Sequence, residues 1–211
     1  MNRQIVLMTM ALMGLTFGSC ADGTIALTEE NLEVINREIM VADTAENSVS
    51  LNDKPSDGLA IIKNINFDGG TIAIDIKGED VQGKSFVGVA FNIINDSTYE
   101  AVYFRPFNFR SNEQIRREHS VQYIYHPKNS WRYLRTNFEG QYEAEFPRQP
   151  HPDDWFSVQI KVDSKNVYVY DTETNTELLI VERLATQTSD KLGLWTGFNS
   201  KGAFKNLKII R

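Results

Sequence analysis

Residues 99–109, YEAVYFRPFNF, carry side chains whose types and spacing could bind a polar ring. Successive side chains of a β-strand point to opposite faces, so Val102 and Phe104 are expected on one face and Tyr103 and Arg105 on the other. A phenol can stack on a sugar ring while a guanidinium hydrogen-bonds to its hydroxyl groups. In the alternative interpretation, the arginine pairs with a nearby carboxylate and the tyrosines are packing residues.

The segment HSVQYIYHP, residues 119–127, shows the same alternation. Gln122 falls on one face of the expected strand, and His119 and Tyr123 fall on the other. If this strand lies beside the first one, Arg105, Gln122 and either His119 or Tyr123 could converge on one ligand. The sequence leaves open whether the face that carries Tyr103 and Arg105 is exposed.

Asn108 and the three tryptophans are further candidates for ligand contact. Asn108 either presents its amide to a ligand or closes an Asx turn after the strand. Trp131, in NSWRYLR, is expected to be exposed and is the strongest candidate for stacking on a sugar. Trp155 begins an alternating segment, and Trp195 lies between two glycines that leave room for its ring.

Glu143 and Glu145, in YEAEF, could act as a pair of catalytic carboxylates. Glycoside hydrolysis usually needs two carboxyl groups about 5 to 9.5 Å apart, and residues two positions apart on a strand share one face at about 7 Å. His119 is a candidate general base, although no serine or cysteine nucleophile motif accompanies it. In the simpler interpretation, the glutamates are solvated at a strand edge and His119 is a hydrogen-bonded loop residue.

The charge of the chain argues against nucleic acid as a partner. Lysines and arginines number 22 and acidic residues 28, which gives a formal net charge of -6. A chain with this balance repels phosphate backbones.

The first twenty residues predict export and attachment to a membrane. A short polar start, an apolar run and two small residues precede Cys20, which is typical of a secretion signal and too short for a mature spanning helix. Cys20 is the only cysteine, and its setting resembles the lipidated cysteine of bacterial lipoproteins.

We expect a signal peptide at 1–19, a lipid anchor at Cys20, a tether at 20–37 and a domain at 38–211. The location would be the cell envelope, at the outer membrane or in the periplasm; an ordinary secreted protein with an incidental cysteine is the alternative.

The rest of the chain has the pattern of an all-β protein. TIAIDIK (71–77) and WFSVQIKV (155–162) alternate apolar and polar residues, which predicts strands with one wet face. SFVGVAFNII (85–94) is apolar throughout and is expected to be a central strand covered on both faces. Turn-forming residues separate such runs, so we predict about ten to fourteen antiparallel strands in a two-sheet jelly-roll sandwich. A long loop insert is expected around 107–152.

Several of these motifs resemble the concanavalin A-like lectin/glucanase fold. The likeness covers residues 55–211 and rests on GTIAIDIKG, SFVGVAFNIINDSTYEAVYFRPFNF, HSVQYIYHP, DDWFSVQIKVDSKNVYVYD and KLGLWTGFNSKGAFKNLKI. Within this fold, the chain is most similar to laminin-G-like and 3-keto-disaccharide-hydrolase-like (DUF1080) envelope proteins of Bacteroides-type bacteria. The resemblance implies a jelly roll that engages carbohydrate on its concave face. It does not decide the activity, because the fold hosts lectins, hydrolases and adhesion modules, and the Glu-x-Asp-x-x-Glu strand of laminarinase-type glucanases has no counterpart here.

The resemblance also bears on cofactors. Many proteins of this fold bind calcium, so a structural calcium ion is left open, although no ligand set can be named. No other cofactor and no metal centre are expected, because no two histidines have close ligand spacing.

We therefore expect an envelope-anchored protein that binds glycans or assists in processing them. The alternatives are a glycoside hydrolase-like enzyme of the 3-keto-disaccharide type and a non-catalytic structural or adhesion module in which the aromatic residues belong to the core. The residues expected to contact the ligand are Tyr103, Arg105, Asn108, His119, Gln122, Tyr123 and Trp131.

Overall fold

The computed structural model describes residues 23–211, which form two antiparallel seven-stranded sheets packed face to face. This is the all-β, two-sheet sandwich of jelly-roll type that the sequence predicts. The signal peptide expected at 1–19 and the lipid anchor expected at Cys20 lie outside the described residues. No helix in the described part of the chain is long and apolar enough to cross a membrane.

The two sheets are named here by their relation to the candidate site. The site sheet contains, in spatial order, β1 (Leu32–Ile35), β4 (Gly58–Ile62), β13 (Leu192–Thr196), β6 (Val87–Asn95), β7 (Thr98–Phe104), β8 (Val121–His126) and β9 (Glu143–Ala144). The back sheet contains β12 (Thr176–Glu182), β11 (Asn166–Asp171), β10 (Phe156–Val162), β5 (Gly70–Lys77), β14 (Gly202–Ile210), β3 (Ser48–Leu51) and β2 (Ile39–Asp43). The helices are α1 (Gln114–Arg117), α2 (Trp131–Asn137) and short 3-10 turns at Glu29–Asn31 and Pro106–Asn108.

Alternating apolar residues build the core between the sheets. The antiparallel register of β5 and β10 pairs Ile72 with Ile160 and Ile74 with Val158, so these side chains form rows on the inner face. All four are buried in one hydrophobic cluster that draws on both sheets. Burying each such side chain contributes about 1.5–3 kcal/mol, which makes these rows a main source of stability.

Strands β6 and β7 are covered on both faces, as the unbroken apolar run of β6 predicts. On β7, Val102 and Phe104 join the core between the sheets, whereas Tyr99 and Tyr103 join a separate cluster on the outer face of the site sheet. The outer cluster consists of Leu59, Ile61, Ala90, Ile93, Tyr99, Ala101, Tyr103, Ile124, Leu134 and Trp195. Leu134 is the contribution of α2, so this helix covers part of the outer face.

The segment expected to be a tether at 20–37 belongs to the fold from residue 23 onward. Strand β1 pairs with β4 in the site sheet, with Leu32 opposite Ile62 and Ile35 opposite Leu59. Leu27, which precedes β1, is fully buried in the core. The expectation was wrong for these residues because a four-residue strand gains its stability from pairing and leaves little periodicity in the sequence.

The loop insert expected around 107–152 is also more ordered than predicted. It contains the whole of β8, which lies beside β7, and the short edge strand β9. It also contains α1 and α2, which are four and seven residues long. Helices this short carry too few residues to show a 3.6-residue period.

A buried ion pair links β7 to the residue that follows β12. The carboxylate of Glu100 is fully buried and accepts hydrogen bonds from Asn92 Nδ2 at 2.7 Å and Tyr123 Oη at 2.6 Å. Arg183 binds the same carboxylate through Nε at 3.1 Å and Nη2 at 2.6 Å. These donors compensate the desolvation of a charge that would otherwise be very costly to bury.

We predict that Arg183→Met lowers the free energy of unfolding by about 3–5 kcal/mol, because it leaves the Glu100 carboxylate buried without its cation. Urea denaturation measures the loss. The matched control is Lys191→Met, an exposed position where we expect a change within about 0.5 kcal/mol. Equal losses in the two variants would contradict the structural role of the ion pair.

Candidate functional site

Two adjoining cavities open on the outer face of the site sheet and share Phe86 and Trp131 as walls. Together they are named the outer-face groove. The smaller, aromatic cavity has a volume of about 150 Å³ and is lined by Asp57, Phe86, Tyr103, Ile124, His126, Ser130, Trp131, Trp195, Gly197 and Phe198. The larger, arginine cavity has a volume of about 410 Å³ and is lined by Gln82, Gly83, Phe86, Arg105, Phe107, Asn108, Arg116, His119, Trp131 and Arg135.

A chain of hydrogen bonds fixes the floor of the aromatic cavity. The indole Nε1 of Trp195 donates to Tyr99 Oη at 3.1 Å, and this phenol donates to Asp57 Oδ2 at 2.8 Å. Burial, reinforced by the charge of Asp57, raises the pKa of Tyr99, so the phenol keeps the proton that it donates. The imidazole of His126 stacks on Tyr99 with ring centroids 5.3 Å apart. Asp57 thus presents a partly exposed carboxylate that could accept hydrogen bonds from sugar hydroxyls.

The absence of a side chain at residue 197 lets the walls of this cavity close around the indole. A Cβ atom at Gly197 would lie 2.8 Å from Trp195 Cη2 and 2.8 Å from Phe86 Cβ. Contacts that short would displace one of the two rings. The Gly-x-x-x-Gly neighbourhood of Trp195 noted in the sequence therefore serves close packing of the indole, which is 3% exposed.

Arg105 lies at the floor of the arginine cavity, immediately after β7, and is 5% exposed. Its Nη1 donates to the backbone oxygen of His119 at 2.6 Å, and its Nη2 donates to Tyr103 Oη at 2.7 Å and Gln122 Oε1 at 3.3 Å. The guanidinium also lies over the rings of Tyr103 and Phe86, at 4.9 and 5.9 Å from their centroids. Neighbours of this kind hold the fork in one orientation.

Tyr103 and Gln122 support Arg105 from within the sheet. They are opposite each other in the β7–β8 register and are 2% and 0% exposed. The amide of Gln122 donates to the backbone oxygens of Tyr123 and Tyr142, which orients its oxygen towards the arginine. Burial raises the pKa of Tyr103 to about 12, so its phenol is neutral at physiological pH. The structure thus assembles Arg105, Gln122 and His119 in one place, with Gln122 buried beneath the cavity.

His119, Glu143 and Arg135 form a second polar group beside Arg105. Glu143 is buried and accepts from Arg135 Nε at 2.9 Å and Nη2 at 2.6 Å. His119 Nδ1 lies 3.0 Å from Glu143 Oε2, but the two atoms are not aligned for a hydrogen bond. Burial lowers the pKa of His119, so its imidazole is neutral at pH 7.

Trp131 and Asn108 both line the arginine cavity. Trp131 is the first residue of α2 and is 38% exposed, more than the half-buried Trp155 and the buried Trp195. Asn108 ends the 3-10 turn after β7, is buried, and donates weakly to the backbone oxygen of His119 at 3.4 Å. These positions make Trp131 an exposed wall of the groove and Asn108 part of its floor.

Tyr123 lies on the wrong side of the sheet for the ligand contact that was expected of it. Its ring is fully buried in the core between the sheets, and its hydroxyl donates to Glu100. It faces away from Arg105 because it alternates with Gln122 on β8.

The two candidate catalytic glutamates are held by arginines. Glu143 is bound to Arg135, as described above, and Glu145 accepts from Arg117 Nε at 3.0 Å. Neither glutamate lines the aromatic or the arginine cavity. Within residues 23–211, no group of three histidine, cysteine or acidic side chains is placed to hold a metal ion.

Several groove residues were not singled out from the sequence. Alternation along β8 could have found His126, which follows Gln122 and Ile124 on the same face. Asp57, Arg116 and Arg135 gave no such signal, because loops and short helices bring them to the sheet. The sequence shows only that these side chains are polar.

Comparison with known proteins identifies the fold. No protein-family model matches the sequence, and a search of curated proteins finds no significant match. Among solved structures, the carbohydrate-binding module CBM66 from Bacillus subtilis matches with a TM-score of 0.61 and 12% identity, over 86% of this chain and 96% of that chain. The VIP36 exoplasmic/lumenal domain in its Ca2+/Man3GlcNAc-bound form matches with a TM-score of 0.57 and 8% identity, over 90% and 88% of the two chains.

A third similar structure is a Bacillus subtilis protein of unknown function with a galectin-like fold. It matches with a TM-score of 0.54 and 11% identity, over 86% of this chain and 89% of that chain. At these identities the likeness concerns the fold alone. The chain therefore shares the two-sheet jelly-roll fold of these structures.

The buried phenol of Tyr103 predicts a loss of stability at alkaline pH. A tyrosine in the unfolded chain releases its proton near pH 10, whereas Tyr103 in the folded chain holds it until about 12. Its contribution is therefore complete below about pH 10 and is lost as the pH rises towards 12. We expect Tyr103→Phe to reduce the steepness with which the free energy of unfolding falls over this range, measured by urea titrations at several pH values. An unchanged slope would contradict the burial of this phenol.

Proposed function

We propose that the protein binds carbohydrate in the outer-face groove. The observation that carries the proposal is the arrangement around Trp131, an exposed indole with hydrogen-bonding groups on both sides. The Asp57 carboxylate lies in the aromatic cavity and the Arg105 guanidinium in the arginine cavity. Sugars have apolar ring faces and hydroxyl rims, so a site of aromatic planes edged by charged groups matches their chemistry.

The comparisons support this proposal at the level of protein class. One similar structure is described as a carbohydrate-binding module, and another contains Man3GlcNAc. Because the fold hosts several functions, the main evidence for carbohydrate binding is the groove of this chain. The fold adds support only at the level of protein class. The finer likeness to laminin-G-like and 3-keto-disaccharide-hydrolase-like proteins is part of the proposal and rests on sequence motifs.

We propose binding without hydrolysis. A glycosidase normally places two carboxyl groups on either side of the scissile bond. Asp57 is the one carboxylate among the residues that line the groove, and Glu143 and Glu145 are engaged by Arg135 and Arg117. An accessory role that holds a glycan for another protein fits this arrangement.

We further propose that the protein is tethered to the cell envelope through a lipid on Cys20. The support is the signal-like segment before this cysteine. We expect wild-type protein expressed in a bacterium to fractionate with membranes and to incorporate labelled fatty acid, and Cys20→Ser to lose both properties. Equal fatty-acid labelling of the two forms would refute the anchor.

The binding proposal predicts that Trp131→Ala weakens the affinity for the best-bound glycan by about fivefold or more, since stacking and desolvation of one indole supply about 1–3 kcal/mol. A glycan array identifies the ligand, and isothermal titration calorimetry measures the affinity. The matched control is Trp155→Ala, which removes a half-buried indole that contacts Lys205 of the back sheet. The control should bind like wild type.

Two results would contradict this proposal. One is the absence of any bound glycan on an array that spans plant, bacterial and host sugars. The other is equal binding by the Trp131→Ala and Trp155→Ala variants. Thermal unfolding of both variants shows whether a loss of binding reflects a loss of folding.

A further inference from the structure

We propose that the arginine cavity binds the anionic substituent of an acidic glycan, a carboxylate or a sulfate ester, beside a sugar ring held against Trp131. The inference rests on the proposed function and adds the chemical class of the ligand. Three observations lead to it: the charge of the cavity lining, the unmatched charge of Arg105, and the way the two cavities meet.

The lining of the arginine cavity is cationic in a chain that is acidic overall. Arg105, Arg116 and Arg135 line it together with His119, and no aspartate or glutamate is among the lining residues. The whole chain has a net charge of -6. The cavity thus concentrates positive charge locally, which attracts a single anionic group even though the rest of the surface repels extended polyanions.

The neighbouring carboxylates neutralise this cluster only in part. Glu143 lies beneath the cavity and pairs with Arg135. Glu113 contacts Arg116 at 3.1 Å, but both side chains are exposed, so solvent screens this pair. Arg105 forms no ion pair with any of the described residues.

A comparison of the two buried arginines shows what Arg105 lacks. Arg37 is also 5% exposed and unpaired with a carboxylate, yet its Nη2 alone donates to three backbone oxygens, of Ser56, Thr196 and Gly197, and its Nε donates to a threonine hydroxyl. Arg37 is therefore enclosed by acceptors. The Nε of Arg105 has no acceptor among the described residues, and its guanidinium lines an open cavity. An anion in the cavity would supply both the missing acceptor and the missing charge.

The junction of the two cavities indicates that the anion is part of a larger ligand. Phe86 and Trp131 are walls of both cavities. A sugar ring stacked on Trp131 could direct hydroxyl groups towards Asp57 on one side and an anionic group towards Arg105 on the other. Asp57 would repel an anion on its own side of Trp131. The groove therefore also sets the direction in which the bound glycan lies.

A glycan array with matched acidic and neutral members tests the ligand class. Suitable pairs are oligogalacturonate with its fully methyl-esterified form, and carrageenan oligosaccharide with its desulfated form. We expect the bound glycans to be acidic, and the two pairs reveal whether carboxylate or sulfate is preferred. If the bound glycans are neutral, the inference is overturned while the proposed function stands. If nothing binds, both fail.

Charge reversal tests the assignment to the arginine cavity. We expect Arg116→Glu to weaken binding of the best acidic glycan by about tenfold or more in calorimetry, since it replaces an attraction by a repulsion. The matched control is Arg110→Glu, which changes the net charge equally at an exposed arginine whose Nε donates to the backbone of Gln149. The control should stay within about twofold, because solvent screens its charge.

Two further readouts separate the inference from the proposed function. Added salt should weaken binding of the acidic glycan more than it weakens any binding of the neutral form. Equal loss in the Arg116→Glu and Arg110→Glu variants would overturn the role of the cavity. If the Trp131→Ala variant alone then loses binding, the groove binds the sugar ring by stacking and does not recognise its anionic substituent.

Discussion

The burial of β7 on both of its faces is the constraint on which the site depends. Val102 and Phe104 are fixed in the core between the sheets, so Tyr99 and Tyr103 must occupy the outer face. Arg105 follows Tyr103 in the same alternation and is thereby placed at the floor of the groove. A shift of one residue in the register would turn the arginine into the apolar core. Packing of the inner face therefore sets the geometry of the outer one.

The buried charges on the two faces of the site sheet have different kinds of partner. On the inner face, the Glu100 carboxylate receives four donors from Asn92, Tyr123 and Arg183 and is fully compensated. On the outer face, Arg105 is held by a phenol, an amide and a backbone oxygen, all of them uncharged. The arrangement around Glu100 stabilises a charge inside the core. The one around Arg105 holds a cation in a fixed position with its charge still available, which is what recognition requires.

The sequence predicts the strands well and the site in part. The unbroken apolar run of β6 predicted its burial on both faces. Alternation was sufficient to predict β5 and β10, and it separated Tyr103 from Phe104 correctly. It also grouped Tyr123 apart from Gln122, but alternation cannot say which group faces a ligand, and Tyr123 proved to be an interior residue. Asp57 and Arg135 reach the groove through a loop and a short helix, so only the tertiary structure relates them to Arg105. The strand β1 was missed because its stability comes from pairing with β4.

Helix α2 has a consequence for how the groove behaves over time. A helix of seven residues does not hold together by itself in water, since the cost of nucleation exceeds what its few internal hydrogen bonds return. α2 persists because Leu134 is docked on the outer cluster and Arg135 is tied to Glu143. The wall that carries Trp131 is consequently the part of the groove whose order depends on contacts with neighbouring elements. Local opening of α2, without any unfolding of the sandwich, would remove this wall from the proposed binding groove, and a ligand bound there would slow amide hydrogen exchange along this one helix.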